Sequence, residues 1–236
     1  MNPKNMLSKL FLPALLVVAV SCNSGDDKKD AKTDTTAVKA PVPAPPKDIM
    51  TIKHKVANFA KWKAGYDAHD SARLAAGLHN YVIARGIEDS NLVLIGVHYD
   101  DIAKAKAFAA DPNLKEVMQK AGVTGAPEIE YRHQVYSDTA NITQPARVMI
   151  KHKVKDWDAW KKAFDEHKQA RMDNGLVDRV ISYDVADNHM VTIVFAITDM
   201  AKVKAFMKSK DLADKMKAGG VEGPPSIFFY NVVQHY

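Results

Sequence analysis

Cysteine is almost absent: Cys22 is the only one in 236 residues. A lone thiol cannot close an internal disulfide. An excess of charge of either sign is also lacking, with 33 Lys and Arg against 28 Asp and Glu. The formal balance is +5, and Lys4 and Lys9 fall in a segment expected to be removed, which leaves about +3. That excess is too weak to argue for a nucleic-acid partner. There is no P-loop, no Rossmann glycine pattern and no Gly-x-Ser-x-Gly elbow. Gly122-x-x-Gly125 and Gly220-x-x-Gly223 precede expected strands rather than helices, so they read as turns. The nine histidines include no His-x-His or His-x-x-x-His pair. With no second cysteine either, neither a metal site nor a cofactor is expected. The one sustained apolar run, Leu10 to Val20, is too short for a stable membrane span.

What the amino terminus does contain is a basic start, that apolar run, and Ser21-Cys22, which together make a secretory signal over residues 1–22. Val18-Ala19-Val20-Ser21-Cys22 resembles a bacterial lipobox, implying cleavage before Cys22 and lipidation of its thiol. Asn23 stands where an aspartate would favour retention at the inner membrane, so an outer-membrane lipoprotein is expected. Residues 23–48 are mostly Asp, Lys, Ser, Thr, Ala and Pro, with almost no bulky apolar side chain and a proline-rich run from Ala40 to Pro46. Such a segment buries too little surface to offset its ordering entropy and reads as a tether. Gly25-Asp26-Asp27-Lys28-Lys29-Asp30 fits either a surface-export signal or a solvated linker, which leaves periplasmic and surface placement both open.

Sliding the chain along itself by 98 residues aligns Ile52–Tyr131 with Ile150–Phe229 without a gap, and about 31 of those 80 positions are identical. Ile-Lys-His-Lys-Val at 52–56 recurs at 150–154. Trp62, Asp67, His69, Arg73 and Gly77-Leu78 recur as Trp160, Asp165, His167, Arg171 and Gly175-Leu176. Two copies are too few for a solenoid. The expected organisation is one repeat over 49–137, a connector over 138–145 and a second repeat over 146–236.

Each repeat reads alike. Residues 50–57 alternate as a strand, with Ile52, His54 and Val56 on one face and Thr51, Lys53 and Lys55 on the other. Residues 58–76 carry Phe59, Trp62, Tyr66, His69 and Arg73 at steps of three and four, one stripe of a helix. Gly77 and Gly175 fall where a helix C-cap is wanted. Two strands near 80–87 and 91–98 follow, then a helical region capped by Asp101 and broken near Asp111-Pro112, then a last strand at about 127–137. The order β-α-β-β-α-β is the ferredoxin-like arrangement, whose sheet leaves one face uncovered. Two copies in one chain can cover each other. The expected class is therefore α+β, with two tandem ferredoxin-like units packed sheet to sheet as an intrachain pseudo-dimeric barrel.

In element order, unit size and tandem copies, residues 50–236 resemble the dimeric α+β barrel superfamily, which includes the antibiotic-biosynthesis-monooxygenase-like and stress-responsive barrel families. The resemblance implies two units around a central cavity. It does not fix an activity, since that superfamily holds monooxygenases, haem-degrading enzymes, polyketide cyclases and chlorite dismutase-like proteins.

His54 and His152 sit in an apolar alternation where Leu or Val is ordinary. In barrel relatives a first-strand histidine can line the cavity as general base, and the alternative is a buried imidazole bonded to the first helix. His69 with Arg73 and His167 with Arg171, near Asp67 and Asp165, suit either an anion held at a cavity mouth or a structural cluster at a helix end. Trp62 and Trp160 read as core residues that could also touch a ligand. Lys53, Lys55, Lys151 and Lys153 face away from the strand histidines, making the barrel basic if that face is internal and guarding the strands if it is solvated. The leading expectation is a lipid-anchored envelope protein that binds a small organic ligand, anionic if the lysine face lines the barrel. The alternatives are a cofactor-independent monooxygenase-like or cyclase-like enzyme with a strand histidine as base, and a protein-interaction module. Internal pseudo-twofold symmetry makes a monomer the expected state. If only one repeat works, the unshared His79, His98 and His189 are expected to mark the difference.

Overall fold

Period-two alternation builds the strands and the aromatic stripes build the helices of two repeats with matching element order. The computed structural model describes residues 47–138, 140 and 143–236. The expected signal sequence with Cys22, and the tether up to residue 46, lie outside the described residues. The first repeat runs β1 (Ile49–Val56), α1 (Phe59–Ala68), α2 (Asp70–Ala75), β2 (Leu78–Gly86), β3 (Leu92–Tyr99), α3 (Ile102–Ala109), α4 (Pro112–Ala121) and β4 (Val123–Ser137). The second runs β5 (Ala146–Val154), α5 (Trp157–Glu166), α6 (Lys168–Asp173), β6 (Leu176–Asp184), β7 (Met190–Ile197), α7 (Met200–Phe206), α8 (Lys210–Ala218) and β8 (Val221–His235).

All pairings are antiparallel, and the strands close into one barrel in the order β1-β3-β2-β8-β5-β7-β6-β4. Each repeat contributes a four-stranded ferredoxin-like sheet. The two sheets meet edge to edge where β2 pairs with β8 and β4 with β6. Every strand edge of one repeat is thus satisfied by the other, as a closed barrel requires.

Local chemistry sets the helix boundaries. Asn58 and Asp156 cap α1 and α5 by accepting from the backbone N–H of Lys61 and Ala159. The continuous helix expected over 58–76 instead breaks at His69 (φ −98°, ψ 15°), and its counterpart breaks at His167. The expected break before α4 is present, with Asp111 as cap and Pro112 in the first turn. The second copy breaks at the same place without proline, capped by the Ser209 hydroxyl. The Gly-x-x-Gly segment is not a plain turn. Gly122 (φ 91°) terminates α4, and Gly125 (φ 78°) lies inside β4, where the register against β1 slips between Lys53 and Lys55. The last strand therefore starts at Val123 rather than near 127, with a glycine bulge bending it around the barrel.

Each sheet has two buried faces. The helix-side face carries the larger core, around Val56, Trp62, Leu78, Ile83, Val93 and Ile95 in one repeat and Val154, Trp160, Leu176, Ile181, Val191 and Ile193 in the other. The inward face carries a smaller apolar group around Ala84, Leu94 and Tyr230. The strand orientation left open by the sequence is resolved here. Lys53 and Lys151 line the lumen, with Lys53 paired to Glu128 at 2.7 Å and Lys151 to Glu130. His54 and His152 face the helices.

Candidate functional site

Between the helices and the sheet of each repeat lies a cavity, of about 80 Å³ in the first and about 110 Å³ in the second. The sheet floor of the first comes from Ile52, His54, Leu78 and Ile95, and its walls from Trp62, Tyr66 and His69 of the α1 side and Leu114, Val117 and Met118 of α4. The second is built from the corresponding positions, including His152, Trp160, His167, Leu176, Leu212 and Met216. Two readings were open for the strand histidines, lining the barrel cavity or lying buried and bonded to the first helix. They line these helix-side cavities instead, because strand alternation places 52, 54 and 56 on the face that packs under α1.

Neither imidazole is bonded to the first helix. His54 is 4% exposed and His152 6%, yet both ring nitrogens of both residues lack a hydrogen-bond partner. Each ring stands edge-on to a tryptophan, His54 at 5.6 Å from Trp62 and His152 at 5.7 Å from Trp160. Burial in these surroundings pushes both imidazoles down to about pKa 4, so they are neutral at pH 7. An unpaired buried polar group costs on the order of 1–3 kcal/mol. Both copies carry that cost at the same position.

The remaining predicted site residues divide. Arg73 and Arg171 are buried against the cavities, but their charge is engaged. Arg73 lies over the Tyr66 ring, donates Nη2–H to Asp70 at 3.0 Å and Nε–H to the Asn80 side-chain oxygen at 3.2 Å. Arg171 lies over Phe164 and donates to both carboxylate oxygens of Asp178, at 3.0 and 2.7 Å. The counter-charge has moved between copies, from helix Asp70 with strand Asn80 to helix Lys168 with strand Asp178. The arginine stayed. A guanidinium so occupied braces the helix against the sheet and is not free for an anion in the cavity. Asp67 and Asp165 do not join this cluster: they pair with Lys63 and Lys161 on the exposed helix face. His69 packs on Phe108, and His167 packs on Phe206 while its Nε2 lies 2.9 Å from Asp211.

The unshared histidines line neither helix-side cavity. His79 and His189 pair with Asp100 and Asp187 near the surface, and the His98 ring packs on Tyr81. The cavities differ instead at Tyr66/Phe164, Val117/Lys215 and Ala109/Met207. The two copies also drifted unevenly. Around the cavities Ile52, His54, Trp62, His69, Arg73, Leu78, Ile95, Phe108, Leu114, Met118, Pro127 and Ile129 all recur. In the lumen Thr51, Leu94, Glu130, Arg132 and Gln134 face Met149, Thr192, Phe228, Tyr230 and Val232 in the repeat alignment. Leu114, Phe108 and Met118 were legible as shared positions, but nothing local in the sequence tied them to His54.

The fold defines the class: this is an α+β protein in which two ferredoxin-like units of one chain close an eight-stranded antiparallel barrel. No protein-family model and no curated protein matches the sequence. Among solved structures, a protein of Fusobacterium nucleatum subsp. nucleatum provisionally named a monooxygenase is similar with a TM-score of 0.54 at 10% identity, over 82% of this chain and 94% of that one. An anthrone oxidase-like protein is similar with a TM-score of 0.53 at 14% identity, over 81% of this chain and 93% of that one. At such identities the likeness concerns the fold alone.

Proposed function

We propose that the protein binds a small, largely apolar organic molecule in the helix-side cavity of each repeat, with the neutral imidazole of His54 or His152 as its hydrogen-bonding partner. The observation that carries this reading is the unpartnered buried imidazole, present twice. Water is a poor occupant, because ordered water needs two to four polar partners, whereas the lining is mostly apolar and its Tyr66, Arg73 and Arg171 are already hydrogen-bonded elsewhere. A planar molecule with one hydroxyl or carbonyl matches an apolar slot with one polar atom. The cavities are somewhat smaller than the ~150 Å³ void that admits benzene, so the ligand is small or the outer helix yields. The anionic ligand expected from the lysine face does not suit these cavities, whose arginines are already paired.

Trp62 and Trp160 supply the readout. A neutral planar phenol such as 2-naphthol should quench tryptophan emission saturably at two sites per chain. H54L and H152L should each weaken one site by roughly tenfold, the worth of one hydrogen bond. Absence of saturable quenching, or quenching indifferent to both substitutions, would remove the imidazoles from ligand binding.

An enzymatic reading is favoured by one feature, the uncharged imidazole held in a largely apolar pocket beside an aromatic wall. There it could take a proton from a phenolic substrate during cofactor-independent oxidation or cyclisation, although a base near pKa 4 is weak for that task. Turnover of a bound phenol that disappears in H54L/H152L would convert the binder into an enzyme. We further propose that the protein works as a monomer tethered to the outer membrane through lipid on Cys22. C22S should then leave the membrane fraction, and unchanged fractionation would argue against the anchor.

A further inference from the structure

We propose that the barrel lumen, separate from the helix-side cavities, contains one binding site for a small oxyanion, a carboxylate or phosphate group held between Arg132 and Gln134 of β4 and Arg147 of β5. A cavity of about 50 Å³ lies there, lined also by Arg179, Ser182, Tyr230 and His235. One water needs roughly 10–15 Å³ measured in this way, so the space suits a group of a few heavy atoms.

Donors outnumber acceptors in this lumen. Arg132 is 4% exposed and Gln134 2%, and Arg132 Nε and Gln134 Nε2 have no hydrogen-bond partner. Arg132 Nη1 lies 3.4 Å from Glu130, but that carboxylate also takes the Lys151 ammonium. Asp184 faces Arg132 across the β4–β6 seam, and its Oδ1 accepts from the Ala186 backbone. Arg147, 7% exposed, donates to the backbone carbonyls of Gln144 and Ala146 and has no carboxylate partner among the described residues. Arg179 pairs with Asp138 at 2.6 Å. Toward the other end Lys53 and Glu128 balance each other. A buried guanidinium without its own counter-charge is costly, and the strain shows in its neighbours: burial lowers the pKa of Arg132 and Arg147, and burial with the Arg179 and Arg147 charges lowers that of His235. An oxyanion would satisfy the unpaired donors and the excess charge together.

Asymmetry between the repeats points the same way. The alignment pairs Arg132 with Tyr230, Gln134 with Val232, Arg147 with Ile49 and Arg179 with Tyr81. Two identical units would have to place the same group on both sides of the pseudo-twofold axis, bringing like charges together. Fusion lets each copy supply different groups, so a single site needs both. The helix-side cavities, by contrast, kept the twelve lining positions named above in duplicate, His54 and Trp62 among them.

The test is thermal unfolding of the intact chain in sodium phosphate and in sodium acetate, against chloride at matched ionic strength. At a hundredfold excess over its dissociation constant the matching anion should raise Tm by roughly 5–10 °C. R147M and Q134L should lose that shift, and K153M, at an exposed position, should keep it. R147M should also melt higher than the parent in chloride, since it removes an uncompensated buried charge. Response to phosphate alone, or to acetate alone, identifies the head group. Equal melting in all three salts, or a shift that survives in both R147M and Q134L, overturns the proposal. Should R147M fail to fold, the near-isosteric Q134L and the Arg132 Nε–H resonance in a phosphate titration decide it: an unmoved resonance refutes the site.

Discussion

At the scale of single residues, the unusual feature is a buried histidine that is neutral at pH 7 and has no hydrogen-bond partner in the protein. For His54 and His152 the folded pKa of about 4 lies below the ordinary 6.5. The unfolded chain therefore binds more protons than the folded one between those values, and stability must fall as pH drops through that window. It is fully present above about pH 6.5. Between pH 7 and pH 5 each histidine should cost about 2 kcal/mol, visible as a drop in the urea midpoint. In H54L/H152L that part of the pH dependence should vanish; an equally steep dependence in the variant would mean that other groups cause it. The arginines teach a different lesson. Arg73 and Arg171 persisted while their carboxylate moved from helix to strand, which is what a brace requires and what an anion receptor would not tolerate.

At the scale of elements, α1 crosses α4 in the first repeat through a contact with little room for a second methyl group. In the first repeat Gly65 faces Ala121, and a Cβ built on Gly65 would come within 3.0 Å of the Ala121 Cβ. In the second repeat the order is reversed, with Ala163 against Gly219 at 3.5 Å. The two copies hold the same crossing by opposite choices. G65A gains up to ~1 kcal/mol of helix propensity but crowds the outer wall of the cavity. In a double-mutant cycle, G65A and A121G should therefore couple favourably by about 1 kcal/mol in chemical denaturation. Additivity within error would show that the crossing is loose. The outer helices are lightly held in general: α8 has no buried residue and α4 only Ala121. They are the walls most able to yield to a ligand.

For the whole molecule, closure is the decisive fact. The outer edges of β2 and β4 of the first repeat are paired by β8 and β6 of the second. Among the described residues no strand edge is left unpaired, so sedimentation of the intact chain should give the mass of one chain across a wide concentration range. A half-chain comprising residues 146–236 exposes the edges of β6 and β8 and should self-associate with rising concentration. A half-chain that stays monomeric, or an intact chain that dimerises, would contradict this account of closure. Fusion also frees the lumen from strict symmetry, and the lumen is where the copies diverged.

Much of this was legible in sequence because it depends on local periodicity. The gapless 98-residue offset, the strand alternation, the Asp101 cap, the break at Asp111-Pro112 and the helix-ending Gly77 each act within a few positions of themselves, so the ferredoxin-like order and its duplication could be read directly. What the sequence could not decide was which side of a strand is the inside, since both faces of a closed barrel are buried and alternation only separates them. That single choice put His54 and His152 against the helices and Lys53 and Lys151 in the lumen. It also brought Arg132, Gln134 and Arg147 together from different strands. Only tertiary closure sets such neighbours, because cross-strand register and helix packing join residues that no local spacing relates.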